Sequence, residues 1–100
     1  MPTYLILARF TDEGRRHVKD VPQQVRQAIQ QAEQQGFKVH GWWLTMGPYD
    51  TVGVVDAPSD EAMAMGALAE GMQGGIETVT MRAFNLDEAE RLVSQLPRPA

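Results

Sequence analysis

The sequence predicts an α+β domain of four strands and two principal helices, in the order β-α-β-β-α-β with a further helix at the C-terminus. Three observations predict it. Short runs rich in aliphatic and aromatic residues recur at 4–10, 37–46, 51–55 and 76–84. Between the first and second, and between the third and fourth, lie stretches with helical caps and helical spacing. Only a tight Gly47-Pro48 corner separates the second run from the third, as in a hairpin.

The first strand, 4–10, is bounded by Pro2 and by Thr11-Asp12. Thr11 or Asp12 can cap a helical turn at 13–19, with Asp12 and Glu13 near its positive end. Gly14 weakens that turn, and Pro22 interrupts it. The helix restarts after a cap at Asp20 and runs over 22–35. Val25, Ala28, Ile29 and Ala32 give it one narrow apolar face. Seven glutamines between residues 23 and 35 sit mostly off that face and read as a solvated helix surface. Gly36 ends the helix.

The second strand covers 37–46. Strict alternation puts Phe37, Val39, Gly41, Trp43 and Thr45 on one side, and Lys38, His40, Trp42, Leu44 and Met46 on the other. Trp42 and Trp43 therefore face opposite ways. One belongs to the core, and the other meets a partner subunit or lines a pocket. The third strand, 51–55, is apolar on both sides. Ser59 caps a second helix over 59–70, which carries small residues at Ala62, Gly66 and Ala69. Gly71, Gly74 and Gly75 are expected to break it. The fourth strand is 76–84. A terminal helix over 86–96 follows Asn85, and the tail 97–100 is expected to be mobile.

This order is the split β-α-β, ferredoxin-like pattern, with helices packed on one face of an antiparallel sheet. The other face is too apolar for water: Leu5 and Leu7 alternate with Tyr4 and Ile6, and the second and third strands are apolar on both sides. A second layer is needed. The chain has none to spare, so a second copy is expected to supply it, giving a dimeric α+β barrel. Larger assemblies of dimers are also compatible.

Composition narrows the function classes. The chain has 100 residues, enough for one domain, 1–100. A hydrophobic fraction of 43% argues against disorder. Net charge is −4, and the nine basic residues are scattered, so neither a nucleic-acid footprint nor a polybasic membrane patch is present. There is no cysteine, which excludes disulfides, a thiol nucleophile and thiolate metal ligands, and fits a cytoplasmic location. No run is long and apolar enough to span a bilayer. The opening MPTYLILARF reads as a strand, not as a secretory signal.

Four pieces in order resemble the GYD-domain family of small bacterial proteins. They are MPTYLILARFTDEG, HVKDVP, Thr45-Met46-Gly47-Pro48-Tyr49-Asp50, and Thr80-Met81-Arg82-Ala83-Phe84. Pro48 departs from the family pattern, where a polar residue or arginine is usual, and so removes an anion contact from the corner. The resemblance implies the dimeric α+β barrel fold and an oligomeric habit. It carries no assigned activity and no catalytic residues.

The Gly47–Asp50 corner has a structural reading that accounts for every residue. Gly47 supplies positive φ, Pro48 fixes the next φ, Asp50 accepts a backbone N–H, and Tyr49 packs on the sheet end. The functional alternative makes Tyr49 and Asp50 the lip of a ligand cleft, with Tyr49 as proton donor. His40 is the other candidate for proton transfer. Arg9 and Arg82 end neighbouring antiparallel strands, so they are expected to lie apart and to pair with local acids. Either could bind a carboxylate if it faced a cavity. With Trp42, Trp43 and Asp50 they complete the candidate ligand-binding set. No metal spacing appears, and no cofactor is predicted. A haem with His40 or His17 as axial ligand ranks last.

Three functions follow. The first is a cytoplasmic homo-oligomeric binding or accessory protein, with a barrel cavity for a small apolar or weakly acidic molecule. The second is a cofactor-independent isomerase, cyclase or monooxygenase using His40 or Tyr49. The third is a purely structural assembly protein. Fold alone does not choose among them.

Overall fold

Strand β1 (Thr3–Phe10) is followed by a short helix α1 (Asp12–Arg16), a single 3-10 turn (Val18–Asp20) and helix α2 (Val21–Gln34). The hairpin β2 (Lys38–Leu44) and β3 (Thr51–Asp56) comes next, then helix α3 (Asp60–Met72), strand β4 (Ile76–Ala83) and helix α4 (Leu86–Ser94). These elements come from a computed structural model, which describes residues 1–99. Ala100, the end of the expected mobile tail, lies outside the described residues. The strands form one antiparallel sheet in the order β2-β3-β1-β4. This is the ferredoxin-like arrangement that the element order predicts.

The helix boundaries follow local chemistry. The Thr11 hydroxyl accepts the Gly14 N–H and starts α1. Pro22 sits in the first turn of α2, where its missing N–H costs nothing. The Ser59 hydroxyl accepts the Ala62 N–H at 3.1 Å, and Asp60 and Glu61 lie in the first turn of α3. Helix α3 runs through Gly71 to Met72, two residues beyond its expected end.

Cross-strand pairing sets the two faces of the sheet. Tyr4, Ile6 and Ala8 on β1 pair with Val55, Gly53 and Thr51 on β3, and this face lies beneath α2 and α3. Leu5 and Leu7 pair with Val54 and Val52 on the opposite face. In β2 the strict alternation expected from the sequence fails. The register shifts between Val39 and Gly41, so Val39 pairs with Val55 and Gly41 with Val54. A β-bulge at His40 turns the rest of the strand over. Val39 and Trp42 therefore share the helix side, and Gly41 and Trp43 lie on the open side.

The core is small. Tyr4, Val55, Ala57 and Met63 form a buried cluster, with Ile6, Phe37 and Val39 half-buried around it. The Tyr4 hydroxyl donates to the Asp60 carboxylate and so joins β1 to the start of α3. Among the described residues, no helix covers the open face. Leu5, Leu7, Val52 and Val54 are half-buried there, while Trp43, Val79 and Met81 are exposed.

Candidate functional site

The Gly47–Asp50 corner fastens the β2–β3 hairpin to the end of β1. The Thr45 N–H donates to the Asp50 carbonyl at 2.8 Å, and the Thr45 hydroxyl donates to the Tyr49 carbonyl at 2.6 Å. The Asp50 N–H donates to the Ala8 carbonyl, and the Asp50 carboxylate accepts the Phe10 N–H, both at 2.8 Å. Arg9 Nε donates to the Pro48 carbonyl at 2.6 Å, and its guanidinium lies 4.5 Å from the centre of the Tyr49 ring. Gly47 has φ +111°, a left-handed conformation that favours glycine. Thr45, Gly47, Arg9 and Asp50 thus act on one turn and one strand end.

The Thr11–Gly14 step is a second fastening. The Thr11 N–H donates to the Gly75 carbonyl at 3.1 Å, and its hydroxyl donates to the Gly74 carbonyl at 2.7 Å. A Cβ on Gly14 would fall 2.0 Å from the Gly75 carbonyl oxygen, so the two backbones approach too closely for any side chain.

Between α2, α3 and the sheet lies an apolar cleft of about 330 Å³. Ile6, Ile29, Phe37, Val39, Trp42 and Met63 line its inner part. A second space of about 460 Å³ adjoins it, sharing Val25, Ala28, Trp42 and Ile76 and adding Glu13, His17 and Gln24. Glu70 borders both parts, and neither lining includes a lysine or arginine. The cleft exists because Ala28 and Ala32 on α2 and Gly66 and Ala67 on α3 are too small to fill it. The small residues of α3 were the sequence signal for it. Glu70, His17 and the α2 glutamines as a polar border to the adjoining space were not legible.

The candidate residues do not converge. Trp42 lines the cleft, whereas Trp43 is 53% exposed on the open face, its ring lying over Gly41. His40 is on the open side, with Nε2 3.0 Å from the Asp56 carboxylate, at the opposite end of the hairpin from Tyr49. Asp56 also accepts the Thr3 hydroxyl at 2.5 Å, and this hydrogen bond, aided by His40 and Lys38, holds its carboxyl below its ordinary pKa. Arg9 and Arg82 lie at opposite ends of β1, as expected: Arg9 pairs with Glu77 in the register and Arg82 with Tyr4. Among the described residues, neither makes the expected ion pair. Arg82 donates to the Thr3 and Ala83 carbonyls and lies 4.5 Å from the Phe84 ring centre and 5.9 Å from that of Tyr4. Among the described residues, no group of three or more His, Asp or Glu side chains is placed to hold a metal ion. No described helix is long and apolar enough to cross a membrane.

A family model described as the GYD domain matches residues 4–93. The chain belongs to the GYD-domain family. Both fastenings lie within the matched residues and are therefore part of the GYD domain. The chain is also 31% identical over 85 residues to a Thermus thermophilus protein named glutamine synthetase and cystathionine beta-lyase binding protein. That match spans 84% of this chain and 90% of the relative. A crystal structure of TTHA0845 from the same organism superposes with a TM-score of 0.50 at 23% identity, covering 85% of this chain and 95% of that one. This likeness concerns the fold of the GYD domain alone.

Proposed function

We propose that this GYD-domain chain is a binding protein that works through contacts with other protein chains, as a homodimer joined through its open sheet faces. The observation that carries the reading is the uncovered apolar face formed by Leu5, Leu7, Val52, Val54, Trp43, Val79 and Met81. A continuous apolar surface of this kind marks an interface. The chain exposes 7578 Å². A folded monomer of its 11.1 kDa mass exposes about 5,700 Å². A relative named for binding two metabolic enzymes supports an accessory role towards enzymes of that kind.

Two measurements test this reading. Sedimentation equilibrium is expected to give a dimer or a multiple of dimers, and a monomer at all concentrations would remove the assembly. Surface plasmon resonance with purified glutamine synthetase and cystathionine β-lyase from the same host is expected to show saturable binding to at least one. Absence of binding to both would remove the enzyme-partner part.

The cleft favours a second reading beside the first, in which the dimer also takes a small molecule. Its volume is in the range of ligand sites. Its lining suits an apolar molecule with a neutral or cationic end. The weakly acidic class has no lysine or arginine to meet there, and Glu13 and Glu70 border the adjoining space. Native mass spectrometry of protein purified without denaturation would show extra mass if the cleft is filled. Proton transfer by His40 or Tyr49 has less support, since neither side chain lines the cleft.

A further inference from the structure

Helix α4 is locally well made but unsupported by its own chain. The Asn85 side chain accepts the Glu88 N–H at 2.8 Å, and the Glu88 carboxylate accepts the Asn85 N–H at 3.0 Å. This is a capping box, with Asp87 and Glu88 in the first turn and Arg91 in the last. Yet α4 has only nine residues. Isolated helices shorter than about 12 residues are marginal in water. Ala89, Leu92, Val93 and Leu96 fall at i, i+3, i+4 and i+7 and form one apolar stripe. Leu92, Val93 and Leu96 are exposed, Val93 at 63%, and among the described residues no other strand or helix packs extensively on α4.

The overall dimensions agree. The radius of gyration is 15.8 Å, and the longest extent is 56 Å. A compact chain of this length has a radius of gyration of about 13 Å. The surface exposed beyond a compact monomer is roughly 1,900 Å². A standard interface takes about 800 Å² from each partner, and obligate homodimers take more. That excess is shared among the open sheet face, the cleft beneath α2 and α3, and the exposed stripe of α4.

Position supplies the last argument. Helix α4 leaves β4, an edge strand, just after Ala83, which pairs with Thr3 at one end of the sheet. Met81 and Ala83 belong to the open face, so the arm starts at its rim. A second copy seated on that face would lie within the arm's reach, and two-fold symmetry would give each copy the other's arm. A stripe exposed whenever the chain is folded needs a partner present in equal amount, which another copy provides.

We infer that α4 is an exchanged arm, packing its Leu92, Val93 and Leu96 stripe on the second copy of the dimer and not on its own chain. This rests on the dimer proposed above. Hydrogen exchange read by mass spectrometry tests it on the full chain, with a synthetic peptide of residues 85–96 as reference. In the wild-type dimer, α4 amides are expected to exchange at least about 10-fold more slowly than in the peptide. In Val54→Lys, which puts a charge on the open face and is expected to give a monomer, that protection is expected to vanish. Circular dichroism checks the fold, and wild type diluted until it dissociates replaces the variant if it does not fold. A dimer whose α4 exchanges like the peptide overturns the arm but leaves the dimer. Protection that persists in the monomer places α4 on its own chain and also overturns the arm. A wild type that is monomeric throughout removes both.

Discussion

Gly14 occupies a helical position at which alanine would ordinarily be the better residue by about 1 kcal/mol. Here contact reverses the sign. The added Cβ would sit 2.0 Å from the Gly75 carbonyl oxygen, and the atoms it meets are backbone, so they cannot yield without moving a chain segment. Gly14→Ala is expected to lower stability by about 1–3 kcal/mol, as overpacking does, measured by urea unfolding. A stabilised variant would show that Thr11 and Gly75 are not held together. Asp56 gives a residue-scale pH dependence. Its folded pKa is depressed, chiefly by the Thr3 hydroxyl, so its contribution is fully present above about pH 4 and is lost as pH falls through the folded value. Asp56→Asn is expected to be less stable than wild type at neutral pH and to lose less of its stability on acidification. Parallel curves for the two proteins would place the acid sensitivity elsewhere.

At the scale of elements, the strands and helices were legible because their signals are local. Ser59 caps α3 and the split β-α-β order follows from the succession of runs. The bulge at His40 was not legible, because it depends on how β2 pairs with β3, which no alternation within β2 reveals. For the same reason the sequence put Val39 and Trp43 on one face, although it rightly separated Trp42 from Trp43. The Gly47–Asp50 corner was readable as a turn, with Asp50 accepting a backbone N–H, but its donor on β1 was not. The cleft depends on the spacing between α2, α3 and the sheet, and only the small residues on α3 hinted at it. Gly66 tests that spacing. A Cβ there would meet only the Met63 terminal methyl, at 3.7 Å. Gly66→Ala is therefore expected to stabilise the chain by about 0.4–1 kcal/mol. Gly66→Leu is expected to keep the fold and fill the cleft, so that any small molecule bound in wild type is lost from native mass spectra. Retention of that molecule would locate its site outside the cleft.

For the whole molecule, the balance between core and surface decides whether one chain is a sufficient unit. Tyr4, Ala8, Val55, Ala57 and Met63 are the buried hydrophobic residues, and among the described residues no large side chain is completely removed from solvent. Hydrophobic burial is the main favourable term in folding, so a chain with so little of it is poorly stabilised by itself. A sheet-to-sheet dimer would add Leu5, Leu7, Val52, Val54, Val79 and Met81 to the buried set, and each large side chain fully covered contributes about 1.5–3 kcal/mol. Folding and association would then be linked by mass action, and Tm would depend on protein concentration. Differential scanning calorimetry over a hundredfold concentration range is expected to show Tm rising with concentration in wild type. In Val54→Lys, Tm is expected to be lower and independent of concentration, because a lysine opposite Leu5 at the centre of the face cannot be buried without a partner for its charge. A wild-type Tm that stays constant over that range, in a protein shown to dissociate within it, would mean that the helix-side core alone holds the chain and that the open face adds affinity without adding to the fold.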